Sequence, residues 1–217
     1  MATKNSINNK SGSLTLDPGA SGDSFLQFNI NSTGEFRIGV DDTDDSFRIS
    51  QGSALGTNDT FIMDVNGIRL APLLPAFLAL NSSTRTNVTG DSTAYTMVFD
   101  TEKFDLNNDF ATPTFTAPVT ARYAFNIQFL LKGIGGSHSA GTCSLVTSNR
   151  TYLVHMGDPS VYVGGDNFTY STSFIADMDV SDTATVSLVV SGSTKSVDFF
   201  GGGTNNGWSV FSGYLLC

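Results

Sequence analysis

A 217-residue chain with 22 Gly, 17 Phe and only 14% charged residues is rich in strand and turn formers and poor in helix-forming runs. That points to all-β structure in one or two domains. A formal net charge of −9 argues against nucleic acid as a partner, and the longest apolar stretch, Ala71 to Leu80, is interrupted by Pro72 and Pro75 and is too short to span a membrane.

Residues 1–23 are polar, with Ser, Asn and Gly and few apolar anchors. They read as a flexible attachment arm that a partner orders. Met1-Ala2-Thr3-Lys4-Asn5-Ser6 lacks the apolar region of a secretion signal.

Residues 24–72 change character. Phe25, Phe36 and Phe47 recur every 11 residues, and Phe36-Arg37-Ile38-Gly39 and Phe47-Arg48-Ile49-Ser50 are near copies. Turn formers separate them: Asn31-Ser32-Thr33-Gly34, then Asp41-Asp42-Thr43-Asp44-Asp45. Phe61-Ile62-Met63-Asp64-Val65 and Asn66-Gly67 continue the pattern. Strands a few residues long, each with few apolar positions, cannot bury a core of their own. Three chains that wrap together and share the apolar stripe would stabilise them; an irregular β-subdomain of a monomer also fits the residues. The stretch resembles the β-rich shafts and collars of bacteriophage fibres.

Ala71-Pro72-Leu73-Leu74-Pro75 is a stiff, extended boundary. Residues 73–217 then read as successive strands. Ala76 to Leu80 is the first and Tyr95 to Asp100 the second, with a polar turn from Phe104 to Phe110. Arg122 to Phe129 alternates cleanly, so Tyr123, Phe125, Ile127 and Phe129 share one face, which should be buried. Ser144 to Val154, Phe168 to Met178, Ala184 to Val190, Lys195 to Phe200 and a last strand from Trp208 complete the series. Gly213 inside that last strand suggests close approach of another backbone.

Five motifs in this segment occur in one order: Pro75-Ala76-Phe77, Phe99-Asp100, Phe115-Thr116-Ala117-Pro118 through Tyr123-Ala124-Phe125, Asp182 to Leu188, and Phe211-Ser212-Gly213-Tyr214-Leu215-Leu216. They resemble the C1q/TNF-like family, with Ala121 where the family has Gly. The resemblance implies a ten-stranded jelly-roll sandwich that assembles as a homotrimer around an aromatic axis. Arm, shaft and head together imply a viral, bacteriophage-type trimeric fibre or spike on the virion surface. Its head would recognise a host surface glycan or protein, and its N-terminal arm would hold other virion proteins. A capsid decoration or collar fibre without receptor binding, or a bacterial cell-surface adhesion module, are the alternatives.

Little catalytic chemistry is visible. His138 and His155 are the only histidines. No His-Glu-x-x-His, Cys-x-x-Cys or P-loop pattern occurs. Ser137-His138 lies in a Gly-rich loop without an acidic orienter, so the chain reads as a non-enzyme with an exposed loop histidine. Cys143 and Cys217 make no disulfide framework and read as free thiols. Asp41, Asp42, Asp44 and Asp45 are weak candidate Ca²⁺ ligands, the one cofactor considered; they lack EF-hand spacing and read first as a solvated acidic turn. Trp208, beside Gly201 to Gly207, is a candidate stacking platform for a sugar, or else packs under that loop. The loops expected at the far tip of the jelly roll are Ser82 to Thr93, Gly133 to Gly141, Asp179 to Thr183 and Gly201 to Gly207. Within them His138, Asn205, Asn206 and Trp208 are the candidate ligand contacts.

Overall fold

The computed structural model describes residues 15–19, 21–30, 34–162 and 167–216. The attachment arm (for the most part), the Asn31 to Thr33 turn and Cys217 therefore lie outside the described residues. The chain forms two compact units, Met1–Leu73 and Leu74–Cys217.

The first unit is a single antiparallel meander of β1 (Ser24–Ile30), β2 (Gly34–Asp41), β3 (Ser46–Gln51), β4 (Asp59–Met63) and β5 (Arg69–Leu70), in that order. With 7 and 8 residues, β1 and β2 are longer than the turn spacing suggested, because alternation continues through Gly39 and Val40 until the Asp41 turn. The register places Leu26, Phe28, Phe36, Ile38, Val40, Phe47, Ile49, Phe61 and Met63 on one face. Phe25 does not join them. It pairs with Gly39 on the opposite face, where the Arg37 guanidinium lies 4.5 Å from its ring centroid. The 11-residue recurrence of Phe thus does not make one stripe; Leu26 and Phe28 take the place of Phe25.

The two faces of this sheet differ in chemistry. On the polar one, Arg48 pairs with Asp41 at 3.2 Å, with Asp44 at 2.6 Å and with Asp59. The apolar one is open, with Phe28 56% and Phe36 42% exposed. Among the described residues of this unit, Leu55 is the sole buried large apolar side chain.

The second unit is a two-sheet sandwich. Its strands are β6 (Ala76–Leu80), β7 (Arg85–Thr89), β8 (Tyr95–Thr96), β9 (Thr101–Asp105), β10 (Phe110–Ala111), β11 (Thr114–Thr116), β12 (Ala121–Lys132), β13 (Ala140–Thr147), β14 (Thr151–Gly157), β15 (Asn167–Met178), β16 (Thr183–Ser191), β17 (Val197–Phe199) and β18 (Val210–Leu216). One sheet runs β9-β6-β18-β12, with β15 on the free side of β12 and β17 and β7 beyond its end. The other runs β10-β11-β16-β13-β14, with β8 on β16. From β12 onward the chain crosses between sheets at β12 to β13, β14 to β15, β15 to β16 and β16 to β17. That order makes the sandwich a jelly roll, and the protein all-β. It has thirteen strands rather than ten because β8, β10, β11 and β17 are pieces of two or three residues. The expected strand from Tyr95 to Asp100 is paired only as β8, yet Met97 and Phe99 still enter the core, both 0% exposed.

Tyr123, Phe125, Ile127 and Phe129 of β12 all point inward and are buried. Phe77 stacks on Phe110 at 4.6 Å and on Phe115 at 5.3 Å, and Phe125 stacks on Phe211 at 5.7 Å. Gly213 serves this ring cluster. A Cβ there would lie 2.7 Å from Cε1 of Phe77 and 2.8 Å from Cδ1 of Phe125, so the close neighbours are rings and not a backbone. The Tyr123 hydroxyl donates to the Val119 carbonyl at 2.7 Å and ties down the turn before β12. Ala121 opens β12 without a left-handed φ, so no glycine is needed there.

The register also defines the two ends of the sandwich. Ala76 opposite Tyr214, Arg122 opposite Leu216 and Ala121 opposite Met178 mark the base, where the chain enters the unit. Leu80 opposite Val210 and Lys132 opposite Asn167 mark the tip. Residues 133–139 and 200–209 lie at the tip, as expected. The Asp179 to Thr183 loop does not. β15 descends to the base, and there Ser181 N donates to the Ala117 carbonyl at 2.7 Å and Val180 N to Thr120 Oγ1 at 3.0 Å. The segment read as one strand from Ser144 to Val154 is two, β13 and β14, with a turn between them. That extra reversal inverts the direction of everything up to β17.

Candidate ligand-binding site

Trp208 stands just before β18, half-exposed, on the outer side of the sheet that carries β12 and β15. Several residues fix it there. Gly202 lets the indole lie against the loop: a Cβ on Gly202 would sit 2.3 Å from Trp208 Cδ1. Asn206 Nδ2 donates to the Gly202 carbonyl at 2.8 Å. Phe200 meets the indole edge-on, with centroids 6.4 Å apart. The buried Ser209 hydroxyl donates to the Phe200 carbonyl at 2.7 Å and accepts from Leu130 N at 3.2 Å, which locks both ends of the loop to β12.

The indole forms one wall of a cleft of about 340 Å³ lined by Leu130, Lys132, Asn167, Thr169, Phe200 and Trp208. Lys132 Nζ lies 3.8 Å over the Phe200 ring, a cation–π contact. Along the outer face toward the base follows a groove of about 520 Å³ lined among others by Asn126, Gln128, Ser171, Ser173 and Ser212. The two adjoin, because Leu130 pairs with Thr169 and the next outward residues, Gln128 and Ser171, also pair. Gln128 Nε2 donates to the Gly207 carbonyl at 3.1 Å.

The other candidate contacts are placed differently. Asn205 and Asn206 are exposed on the tip loop, and Asn205 Oδ1 accepts from Lys103 Nζ at 3.5 Å. His138, expected as an exposed loop histidine, is 2% exposed. Gly135 N donates to its Nδ1 at 2.9 Å, which assigns the proton to Nε2, and that buried nitrogen has no hydrogen-bond partner among the described residues. His138 therefore builds its loop and offers no surface to a ligand. Sequence reading missed Lys132, Asn167, Thr169 and Phe200; the signal was their outward parity on strands that pair, which requires the register.

The acidic run is a hydrogen-bonded turn. Arg48 binds Asp41 and Asp44, Asp42 accepts from Gly22 N at 2.7 Å, and Asp45 has a left-handed φ of 57°. Hydrogen bonds from Ser46, with Arg48 adding to them, hold the Asp44 carboxyl below the usual carboxylate range against desolvation. The carboxylates that converge within 4.8 Å are Asp23, Asp41 and Asp42, a different set from the one expected for Ca²⁺. The most buried of them, Asp41, already has Arg48 as its counter-ion, so the donor set fits a cation poorly. Cys143 is buried in the core, and burial pushes its thiol up to about 12, far from a reactive thiolate. No helix among the described residues is long and apolar enough to cross a membrane.

No protein-family model matches the chain, and no curated protein matches it. Solved structures similar to it include the globular domain of zebrafish complement 1qA protein, at 18% identity and a TM-score of 0.46 over 66% of this chain and 98% of that one. Murine APRIL at pH 8.5 is similar at 8% identity and a TM-score of 0.43, over 66% of this chain and 99% of that one. The strand order of the sandwich, independent of these likenesses, is what makes it a jelly roll.

Proposed function

We propose that the chain is a homotrimeric fibre or spike protein of a virus of the bacteriophage type, with the meander as shaft and the jelly roll as head. The observation that carries the reading is the open apolar face of the meander. A lone sheet with one such face is not stable in water and needs a second layer. Monomers rarely expose a contiguous apolar patch beyond roughly 300–600 Å². On this face Leu26, Phe28, Phe36, Val40 and Met63 are 38–56% exposed, and other copies of the same face are a matching cover. The resemblance of residues 24–72 to phage shafts supports the viral setting. In this reading the tip of the head, with Trp208, Asn205 and Asn206, recognises a host surface glycan or protein, and residues 1–23 bind other virion proteins. Three copies of a weak site gain by avidity.

Mass photometry of the intact chain tests the assembly: three chains per particle are expected, and a folded monomer at micromolar concentration refutes it. Binding of the trimer to host cells separates recognition from a purely structural role.

A further inference from the structure

We propose that the Trp208 cleft is a glycan-binding subsite and that the polar groove below it holds further sugar units. The inference rests on the recognition reading above and names its ligand class. A pyranose ring has an apolar C–H face and a rim of hydroxyls. The cleft matches both. The indole of Trp208 and the ring of Phe200 supply apolar surface, and Lys132, Asn167 and Thr169 surround them with an ammonium, an amide and a hydroxyl. A few convergent polar groups beside aromatic walls is the usual build of a small-ligand site, and a rigid exposed Trp is the side-chain type that most often anchors recognition.

The platform is held before any ligand arrives. Gly202 admits the indole, Asn206 fixes the Gly202 carbonyl, and Ser209 pins the loop to β12. A preorganised wall spares the ligand an ordering cost.

The groove below argues for a glycan over a protein partner. Its outward side chains are Asn126, Gln128, Ser171, Ser173 and Ser212 with one apolar neighbour, Val210, so hydroxyls and amides dominate and a single Val stands where protein interfaces carry an apolar centre. Its rows repeat along paired strands, Gln128 with Ser171 and Asn126 with Ser173, so donors and acceptors recur at intervals of two residues, or about 7 Å. A chain of sugars is a ligand that repeats in the same way.

Trp208 is the one Trp in 217 residues, so indole emission, excited selectively over tyrosine, reports this site alone. The intact protein is titrated with neutral probes (chitooligosaccharides and dextran oligomers) and acidic ones (hexuronic acid oligomers), and screened on an array of immobilised oligosaccharides. A saturable emission change with at least one probe is expected. Trp208→Ala, read by ligand-observed NMR, should weaken binding on the order of tenfold or more; Asn167→Ala and Thr169→Ala should weaken it less, with far-UV circular dichroism unchanged. No saturable change and no array signal overturn the proposal. An indole that acrylamide cannot quench in the intact assembly also overturns it, since the cleft would then be covered by another copy, while the trimer reading survives. Binding by a monomeric protein would retain the site and sink the trimer.

Discussion

Phe125 shows how a single side chain carries the sandwich. It is 0% exposed and touches Phe115 at 5.4 Å and Phe211 at 5.7 Å between centroids, so it bridges the two sheets. Phe125→Ala should cost about 3–5 kcal/mol, read as a shift of the denaturant midpoint; a variant that melts like the parent would refute the assigned packing. Gly213→Ala tests the opposite error. Its Cβ would be forced against Phe77 and Phe125, and overpacking of this kind should destabilise by about 1–3 kcal/mol. The burial of Phe125 was legible because period-2 alternation names a face. What presses on Gly213 was not, since a missing Cβ signals a close neighbour without saying whether it is backbone or ring. His138 was legible only as a residue in a Gly-rich loop, and no local pattern distinguishes a loop that folds over its histidine from one that presents it. Trp208 stood out by its type, but its cleft partners come from β12, β15 and the segment after β17, distant in sequence.

Strands and turns were legible where alternation was long, as in β12, and failed where a reversal was brief. The turn between β13 and β14 is closed by Thr147 N donating to the Arg150 carbonyl at 2.9 Å, and it holds no Gly or Pro, so Ser144 to Val154 read as one strand and the Asp179 loop moved to the wrong end. The hub of the meander is similarly non-local: Arg48 on β3 reaches Asp41 of β2 and Asp59 of β4. Arg48→Met should cost about 3–5 kcal/mol by leaving two buried carboxylates unpaired, seen as faster hydrogen exchange in β2 to β4; protection equal to the parent would show the pairs to be incidental. At the tip of the sandwich, Asp100 accepts from Ser82 N at 2.8 Å and from Arg85 Nη2 at 2.6 Å. Partial burial raises its carboxyl pKa, but Ser82 and Arg85 outweigh burial and hold it below the ordinary value. A depressed carboxyl contributes stability that is present above the unfolded pKa and lost as pH falls through the folded one. The melting temperature should therefore drop on the acid side of the ordinary carboxylate range. Asp100→Asn should lower stability at neutral pH by under about 1 kcal/mol and flatten that acid loss; an unchanged acid slope would remove Asp100 from the account.

For the whole molecule, the sequence shows an excess of apolar side chains in residues 24–72 but not what covers them, because a partner copy leaves no separate mark in its own sequence. The structure narrows the question to one face. Its nine side chains lie on β1 to β4, and on its polar back Arg48 already pairs with Asp41, Asp44 and Asp59. A covering lipid surface fits poorly with a chain of net charge −9, since phosphate head groups would be repelled. Residues 1–14 carry four apolar side chains, Met1, Ala2, Ile7 and Leu14, against nine on the face. In the proposed trimer a second and third copy cover the face, packing sheet on sheet about 10 Å apart. Phe36→Asp together with Phe61→Asp places two carboxylates on that face and changes no residue of the jelly roll. If copies share the face, burying these charges is prohibitive. Mass photometry should then show single chains of 23.0 kDa in place of trimers, while Trp208 emission and the jelly-roll melt stay as in the parent. Trimers that persist at nanomolar concentration in this variant would move the assembly surface to the outer sheet of the jelly roll, where Tyr214 and Ile175 are 47% and 63% exposed in one cross-strand row.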